Sequence, residues 1–481
     1  MNLQENLTML MDFYELTMSN GYFEHGMKDK MACFDMFFRK IPDGGGFAIM
    51  AGVEQLVDYI KNLSFSEEDI EYLESRNLFC KEFLDYLKNF KFSCDVYAVP
   101  EGTPIFPGEP IVKVVGPIIE AQLIETMLLI TINHQCLIAT KSNRIVRAAK
   151  GRAVMEFGSR RAQGSTGAVN GARASYIAGC IGTACTIADQ KFSIPALGTM
   201  AHSWVQMFDS EYEAFLAYAK TYPNSCTLLI DTYNVLGSGL PNAIKVFKEY
   251  LIPNGYKPAG VRIDSGDIAY LSSKVRKILD SEGLTDVKIV ASNSLDEYII
   301  RDLIHQGAQI DSFGVGERLI TSRSEPVFGG VYKLTCVYDE NGNEIPKIKL
   351  SENAAKITNP CNKKLVRFYS KDNDKAIADL IMLSDEATPD GSDYEIFDPE
   401  YTWKRKTVTN YYARELLVPI FKKGKLVYDL PHIDNIRTYC AQQVDGIWDE
   451  VKRFENPHTY YVDLSNKLWE TKQSLLNKHK N

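Results

Sequence analysis

The 481-residue chain carries ten cysteines but no C-x-x-C pair. The two closest, Cys180 and Cys185, lack metal-ligand spacing and have no suitably placed histidines. That pattern argues against a zinc or dithiol motif and fits reduced thiols packed in a cytoplasmic protein. No single-sign charge run is long enough to form an interaction tail, and the net charge of −8 disfavours nucleic-acid and anionic-membrane partners. The opening segment, MNLQENLTMLMDFYELTMSN, lacks a basic start followed by an apolar block, so no signal peptide is expected. The most apolar stretch, Ile118 to Ile138, is interrupted by Glu120, Gln122, Glu125, Asn133, His134 and Gln135. It reads as a buried helix, not a membrane span. No internal repeat is apparent, which disfavours a solenoid or propeller.

Hydrophobic content of 45% and charged content of 24% are those of a soluble globular enzyme. The length exceeds one ordinary core, so a barrel-sized unit with a second domain, or three smaller domains, is expected. Three zones differ in texture. Residues 1–140 are mixed and read as an α+β domain: a strand-like MACFDMFFRK, a Gly-rich turn at Asp43 to Gly46, then helices, one opened by a capping box at Ser66 and Asp69. From 141 to 340, short apolar runs each end in a polar or Gly-rich cluster: AVMEFGSR, GCIGTACT, ALGTMAHS, TLLIDTYN, GVRIDSGD, KIVASNS and DSFGVGE. Helical patterns separate several of them, and Ser294 with Glu297 reads as a capping box opening a helix that ends at Gly307. Alternating strand, polar loop and helix is the grammar of an α/β fold of TIM-like βα-barrel type. Seven strands are counted where a complete barrel has eight, so the barrel is expected to be irregular or incomplete. Residues 341–481 are richer in charge, tyrosine and asparagine; DENGNE and SKDNDK read as turns between short strands, and SNKLWETKQSLLNKHKN as an amphipathic surface helix. This C-terminal segment is expected to pack on the N-terminal domain and the barrel.

In βα barrels the chemistry sits on loops after the strands' C-terminal ends, where all seven clusters fall. Among seven histidines only His202 lies in such a cluster, GTMAHS. A neutral imidazole there can act as nucleophile or base, and Asp231, ending the next strand, is the natural carboxylate to fix its tautomer. In VRIDSGD, alternation places Arg262 and Asp264 on one side of a strand. The pair suits a phosphorylated, polyhydroxylated substrate, the carboxylate accepting from ribose hydroxyls and the guanidinium holding an anion, although an ion pair closing the barrel mouth is the alternative. In DSFGVGE, Gly314 and Gly316 can admit a phosphate to the backbone, or serve a plain tight turn. EFGSRR offers Phe157 and Arg160 to a flat anionic ring, with core packing of Phe157 as the alternative. DFYELTM adds Tyr14 beside Asp12. The clusters describe phosphoribosyl chemistry, yet an aldolase or a phosphate-binding decarboxylase also fits.

DFYELTM, MFFRKIPDGGGFAIMAG, EFGSRRAQG, IGTACT, GTMAHSW, IDTYN, RIDSGD, GVGERL and GGVYKL occur here in the order seen in nicotinate phosphoribosyltransferases. The resemblance runs from about residue 7 to at least residue 366, and KLSENAAKITNP through NKKLVRFY is similar to the family's C-terminal part. It implies transfer of 5-phosphoribosyl from phosphoribosyl pyrophosphate (PRPP) to nicotinate in NAD salvage, coupled to ATP, with Mg2+. It implies that ATP phosphorylates His202, oriented by Asp231. Phe157 and Tyr14 would sandwich the pyridine ring, Tyr14 coming from the partner of a homodimer with shared sites. Thr183, Arg160, Arg262 and Asp264 are expected at the substrate, and Asp12, Arg39, Lys333, Gly314 and Gly316 near the phosphates. No metal ligand is assigned. Nicotinamide-using relatives carry an aspartate where this chain has Ala184, which favours nicotinate. Glu317 departs from the hydroxyl residue usual after GVG, and should point away, pair with Arg318 or Arg323, or reach Mg2+. A quinolinate enzyme, with more basic residues and no phosphohistidine, and a non-catalytic binding protein are the rivals.

Overall fold

The computed structural model describes residues 6–353 and 356–479. Two residues of KLSENAAKITNP and the last two of the C-terminal tail lie outside that range. The chain forms two compact units, Met1–Leu137 with Val327–Asn481, and Ile138–Pro326.

The second unit is built on parallel strands in the order Ala153–Glu156, Ser312–Val315, Lys288–Ser292, Gly260–Ile263, Thr227–Leu229. Beyond the first of these, parallel bridges carry the pairing from Glu156 to Thr183 and from Thr183 to Ala196. Backbone bonds from Thr183 N–H to Pro195 O (3.0 Å) and from Leu197 N–H to Thr183 O (2.8 Å) make these two further rungs. All seven apolar runs therefore lie side by side in one mixed α/β layer, and the array ends at Ala196 on one side and at Thr227–Leu229 on the other. Residues on both faces of these strands are buried: Leu228, Leu229 and Ile230 follow one another in the core, with Val261, Ile263 and Ile289 from the neighbouring strands. Burial of such side chains contributes about 1.5–3 kcal/mol each.

Helix starts here are set by side chains. Asp267 caps Ile268–Ser281 through the Tyr270 N–H. For Glu297–His305 the cap is Asp296, whose Oδ1 accepts from the N–H groups of Tyr298 (3.1 Å) and Ile299 (2.9 Å). The expected Ser294–Glu297 capping box is thus not formed. Asn293 and Ser294 instead adopt left-handed conformations, φ 81° and 52°, which end the preceding strand in a tight turn and shift the cap two residues on. The box at Ser66 and Asp69 does form, opening Glu67–Ser75.

In the first unit the two chain segments share one sheet, and the C-terminal segment builds a second by itself. One runs Glu344–Pro346, Gly330–Tyr338, Met31–Phe38, Val112–Pro117, Asp95–Ala98, Val418–Lys422, Lys425–Leu426; another runs Tyr411–Glu415, Lys363–Ser370, Ala376–Leu383, Val462–Leu464. The strand containing Lys333 thus pairs with Met31–Phe38, Asp35 standing opposite Lys333. Two ion pairs are buried to within 2% of complete: Lys363 Nζ to Asp35 (2.8 Å), which joins distant segments, and the Arg367 guanidinium to Asp379 (2.6 and 2.7 Å), which face each other on adjacent strands. Buried pairs cost desolvation, and their geometry makes them register pins more than sources of stability. The apolar stretch Ile118–Ala148 is long and apolar enough to cross a membrane, but 72% of its most apolar window is buried inside the protein, as a core helix would be. Nine of the ten cysteines are buried, and Cys80 is half-buried.

Candidate active site

Alternation along the Thr227–Leu229 strand and the two residues after it sets the first element of the site. Ile230 continues the ladder, donating its N–H to Arg262 O (3.1 Å), and turns its side chain into the core. Asp231 must then face the other way. Its side chain is 1% exposed; Oδ1 lies 3.2 Å from His202 Nε2, and Oδ2 accepts from the Asp264 N–H (3.0 Å) and the Ser265 hydroxyl (2.6 Å). His202, the first residue of the short helix His202–Gln206, is 40% exposed. Because a carboxylate only accepts, the shared proton sits on Nε2, and the lone pair of Nδ1 is left without a partner among the described residues.

Ile263 is buried, so its neighbours Arg262 and Asp264 emerge together. The Arg262 guanidinium donates to four protein acceptors: Ser292 Oγ (2.9 Å), Thr199 Oγ1 (3.0 Å), Met200 O (3.4 Å) and Asp264 Oδ1 (2.9 Å). It also lies 5.6 Å from the centre of the Phe157 ring. With four of its five N–H groups engaged, Arg262 is a strut for the site more than a bidentate anion clamp. The alternative reading of the pair, an ion pair between Arg262 and Asp264, is therefore present, and with it a packing role.

Phe157, Arg160, Arg262 and Asp264 line two adjoining cavities. The larger, about 340 Å³, also meets Ala184, Met200 and His202; the smaller, about 140 Å³, is lined by Arg161, Arg323, Gly316 and the Asn293–Ser294 turn. One has an aromatic wall and a histidine, the other is mainly cationic, so a ring and an anion have separate places. Arg160 and Arg161 are exposed and their side chains make no hydrogen bond or ion pair among the described residues, which leaves both free for a ligand. Gly314 has a reason the sequence did not disclose. A Cβ on it would lie 2.5 Å from a Phe157 ring carbon, so the ring rests on bare backbone. At Gly316 a Cβ would come within 3.2 Å of Phe157 O.

Thr183 does not line either cavity. It is fully buried, donates its hydroxyl to Glu156 Oε2 (2.5 Å) and accepts from the Cys185 N–H (3.0 Å), so it braces the loop that presents Ala184. Glu156, whose pKa burial raises, also accepts from the Gly158 N–H. Glu317 pairs with Arg323 (3.3 Å), while Arg318 is taken by Asp296 (2.5 Å). Of the two expected arginine partners, Arg323 is the one used.

Asp12, Tyr14, Arg39 and Lys333 belong to the other unit. There, Tyr14 hydrogen-bonds Glu125; burial and that carboxylate push its hydroxyl pKa up, so it remains a donor. Lys333 Nζ lies 3.7 Å from Glu125, and the Asp12 N–H donates to Thr126 Oγ1 (3.0 Å). Arg39 is half-buried, its guanidinium 5.8 Å from the Phe37 ring centre. Sequence reading passed over Glu125, Thr199, Ser265 and Ser292. Glu125 left one signal, a charge interrupting an apolar helix; the three hydroxyl residues left only their places inside strand-end clusters.

Comparisons with known proteins agree along the whole chain. Residues 9–133, 152–367 and 362–472 match, in turn, the nicotinate phosphoribosyltransferase N-terminal domain, the nicotinate phosphoribosyltransferase family, and its C-terminal domain. A nicotinate phosphoribosyltransferase of Bacillus subtilis is 41% identical over 99% of this chain and 96% of its own. One from Dictyostelium discoideum is 34% identical over 97% of this chain and 88% of its own. The crystal structure of human nicotinic acid phosphoribosyltransferase superposes with a TM-score of 0.84 at 28% identity, over 97% of this chain and all of that one. The chain belongs to the nicotinate phosphoribosyltransferase family.

Proposed function

We propose that this protein transfers 5-phosphoribosyl from PRPP to nicotinate, giving nicotinate mononucleotide and pyrophosphate in cytoplasmic NAD salvage, and that ATP drives the reaction by phosphorylating His202. The observation that carries the reading is the His202–Asp231 pair, set at the edge of a cleft that has an aromatic wall, the carboxylate of Asp264 and a cationic lobe. The seven-rung parallel array is read as an irregular βα barrel with this cleft at its mouth.

In this reading Phe157 provides the face on which the pyridine ring stacks, and Arg160 neutralises its carboxylate. Ala184 keeps that neighbourhood free of negative charge; an aspartate there would repel nicotinate and suit an amide. Asp264 accepts from the ribose hydroxyls, and Arg161, Arg323 and backbone N–H groups at Gly316 and Asn293–Ser294 receive phosphate oxygens. Asp12, Arg39 and Lys333 are assigned to the phosphates by family resemblance. The ring nitrogen attacks C1 of the ribose as its bond to pyrophosphate breaks, and the carboxylates stabilise the cationic sugar between. Mg2+ would accompany the phosphates as part of the substrate, held mainly by their oxygens and neutralising their charge. Nδ1 of His202 displaces ADP from the γ-phosphorus of ATP; water later attacks the phosphohistidine, and orthophosphate leaves.

A homodimer with shared sites is part of the proposal. Phe13, Tyr14 and Met18 of the helix Phe13–Glu24, with Leu10 before it, form an exposed apolar stripe able to carry Tyr14 to a partner's cleft. The proposal does not call for a nucleic acid or a membrane.

Product analysis decides the reading. Offered nicotinate, nicotinamide and quinolinate together with PRPP, the protein should form nicotinate mononucleotide, faster with ATP than without. Release of carbon dioxide from quinolinate, or formation of the amide nucleotide alone, would overturn it.

A further inference from the structure

Asp264 is held by one oxygen only. Oδ1 accepts from Arg262 Nη2 (2.9 Å) and makes a short contact with the hydroxyl of Ser292. Oδ2 has no protein partner among the described residues, although the side chain is 27% exposed and lines both cavities. The direction of each bond around this triangle follows from proton counting. Arg262 has no acceptor, so its Nε–H must donate to Ser292 Oγ (2.9 Å). The single hydroxyl proton of Ser292 is thereby turned toward Asp264 Oδ1. Two donors then converge on the same carboxylate oxygen from two different strands, Gly260–Ile263 and Lys288–Ser292, which are themselves paired in parallel.

From this we infer that Ser292 is a positioning residue for the phosphoribosyl donor: it stops rotation of the Asp264 carboxylate and leaves Oδ2 as the atom offered to the vicinal hydroxyls of the ribose. A carboxylate two bonds from the backbone rotates freely unless one oxygen is pinned, and a freely rotating acceptor loses the advantage of being placed before substrate arrives. Arg262 alone does not pin it, because one bond allows rotation about its own axis; Ser292 adds the second, non-collinear one. Arg262 cannot turn away to serve a ligand without abandoning Ser292, Thr199 and Met200 as well. The backbone N–H of Asp264 is held by Asp231, so the pinned carboxylate is also registered against His202. Ser292 is 3% exposed and has its backbone in the ladder opposite Gly314, which makes it a rigid support for this task.

The inference rests on the reading of Asp264 as a ribose-binding group, and the test separates the two. Steady-state kinetics are measured for wild type, Ser292→Ala and Ser292→Thr, varying PRPP and nicotinate independently, with thermal melting of each protein. The Ala variant should show a KM for PRPP raised by about tenfold or more, with the nicotinate KM within about twofold of wild type, since one hydrogen bond to a charged group is removed on the ribose side only. Ser292→Thr, which keeps the hydroxyl, should return the PRPP KM to within about threefold of wild type. If Ser292→Ala does not fold, Ser292→Cys carries the same test, because a thiol fills the site but is a weak donor. A folded Ala or Cys variant with unchanged PRPP KM overturns the inference, as does a rise shared equally by both substrates. Wild-type protein that makes no nicotinate mononucleotide would instead overturn the functional reading itself.

Discussion

Asp231 holds His202 with one oxygen while its other oxygen is fastened by the Asp264 N–H and the Ser265 hydroxyl, so the carboxylate cannot turn away from the imidazole. That arrangement makes Asp231→Asn informative. Its amide oxygen must face the two donors, which puts the NH2 group against His202 and forces the ring proton onto Nδ1. The lone pair proposed to take up phosphate is then lost from the cleft. Incubated with labelled ATP, wild type should acquire acid-labile phosphate, Asp231→Asn should do so more slowly by on the order of 100-fold or more, and His202→Ala not at all. Wild-type labelling in either variant would sink the assignment.

Gly314→Ala tests the ring platform. The new methyl would lie 2.5 Å from Phe157 Cδ2, so the ring must move or the strand must shift. Overpacking of that kind costs about 1–3 kcal/mol. The melting temperature should fall and the KM for nicotinate should rise, whereas Gly316→Ala, with its nearest atom at 3.2 Å, should be milder in both. A Gly314→Ala protein that binds nicotinate as wild type does would show that Phe157 does not carry the ring.

Glu15 supplies a pH-dependent element of stability. It is fully buried, its Oε2 has no partner among the described residues, and burial pushes its pKa up to about 7, with the Glu125 charge adding and the Thr126 hydrogen bonds opposing. Because the folded value lies above the ordinary one, the native state holds this proton more tightly than the unfolded chain. Its contribution is fully present below the ordinary carboxyl pKa and is lost as pH rises through about 7, by at most about 3 kcal/mol. Glu15→Gln, whose amide oxygen can keep both Thr126 bonds, should melt higher than wild type at about pH 8 and show little difference near pH 5. A melting difference independent of pH would contradict this account.

Much of the second unit was legible in the linear chain because its signals are local. An apolar run ending in Gly, Asp or Ser marks a strand end wherever it occurs, and alternation alone places Arg262 beside Asp264 and turns Asp231 away from Ile230. The Ser66 capping box is equally local. Where a second local signal competed, the reading slipped: one oxygen of Asp296 accepts from two backbone N–H groups and takes the cap from Ser294.

What the sequence by itself determined is therefore the order of elements, the rim residues they end on, and the family those motifs belong to. Tertiary structure decided the partners: that Thr183 serves Glu156 beneath the cleft, that Gly314 makes room for an aromatic ring, that Ser292 closes the triangle with Arg262 and Asp264, and that the strand of Lys333 pairs with Met31–Phe38. The physical reason is range. Helix caps, turns and alternation depend on residues a few positions apart, whereas a hydroxyl or a bare backbone acquires its purpose from atoms tens to hundreds of residues away. Only the folded chain brings those within a hydrogen bond or a van der Waals contact.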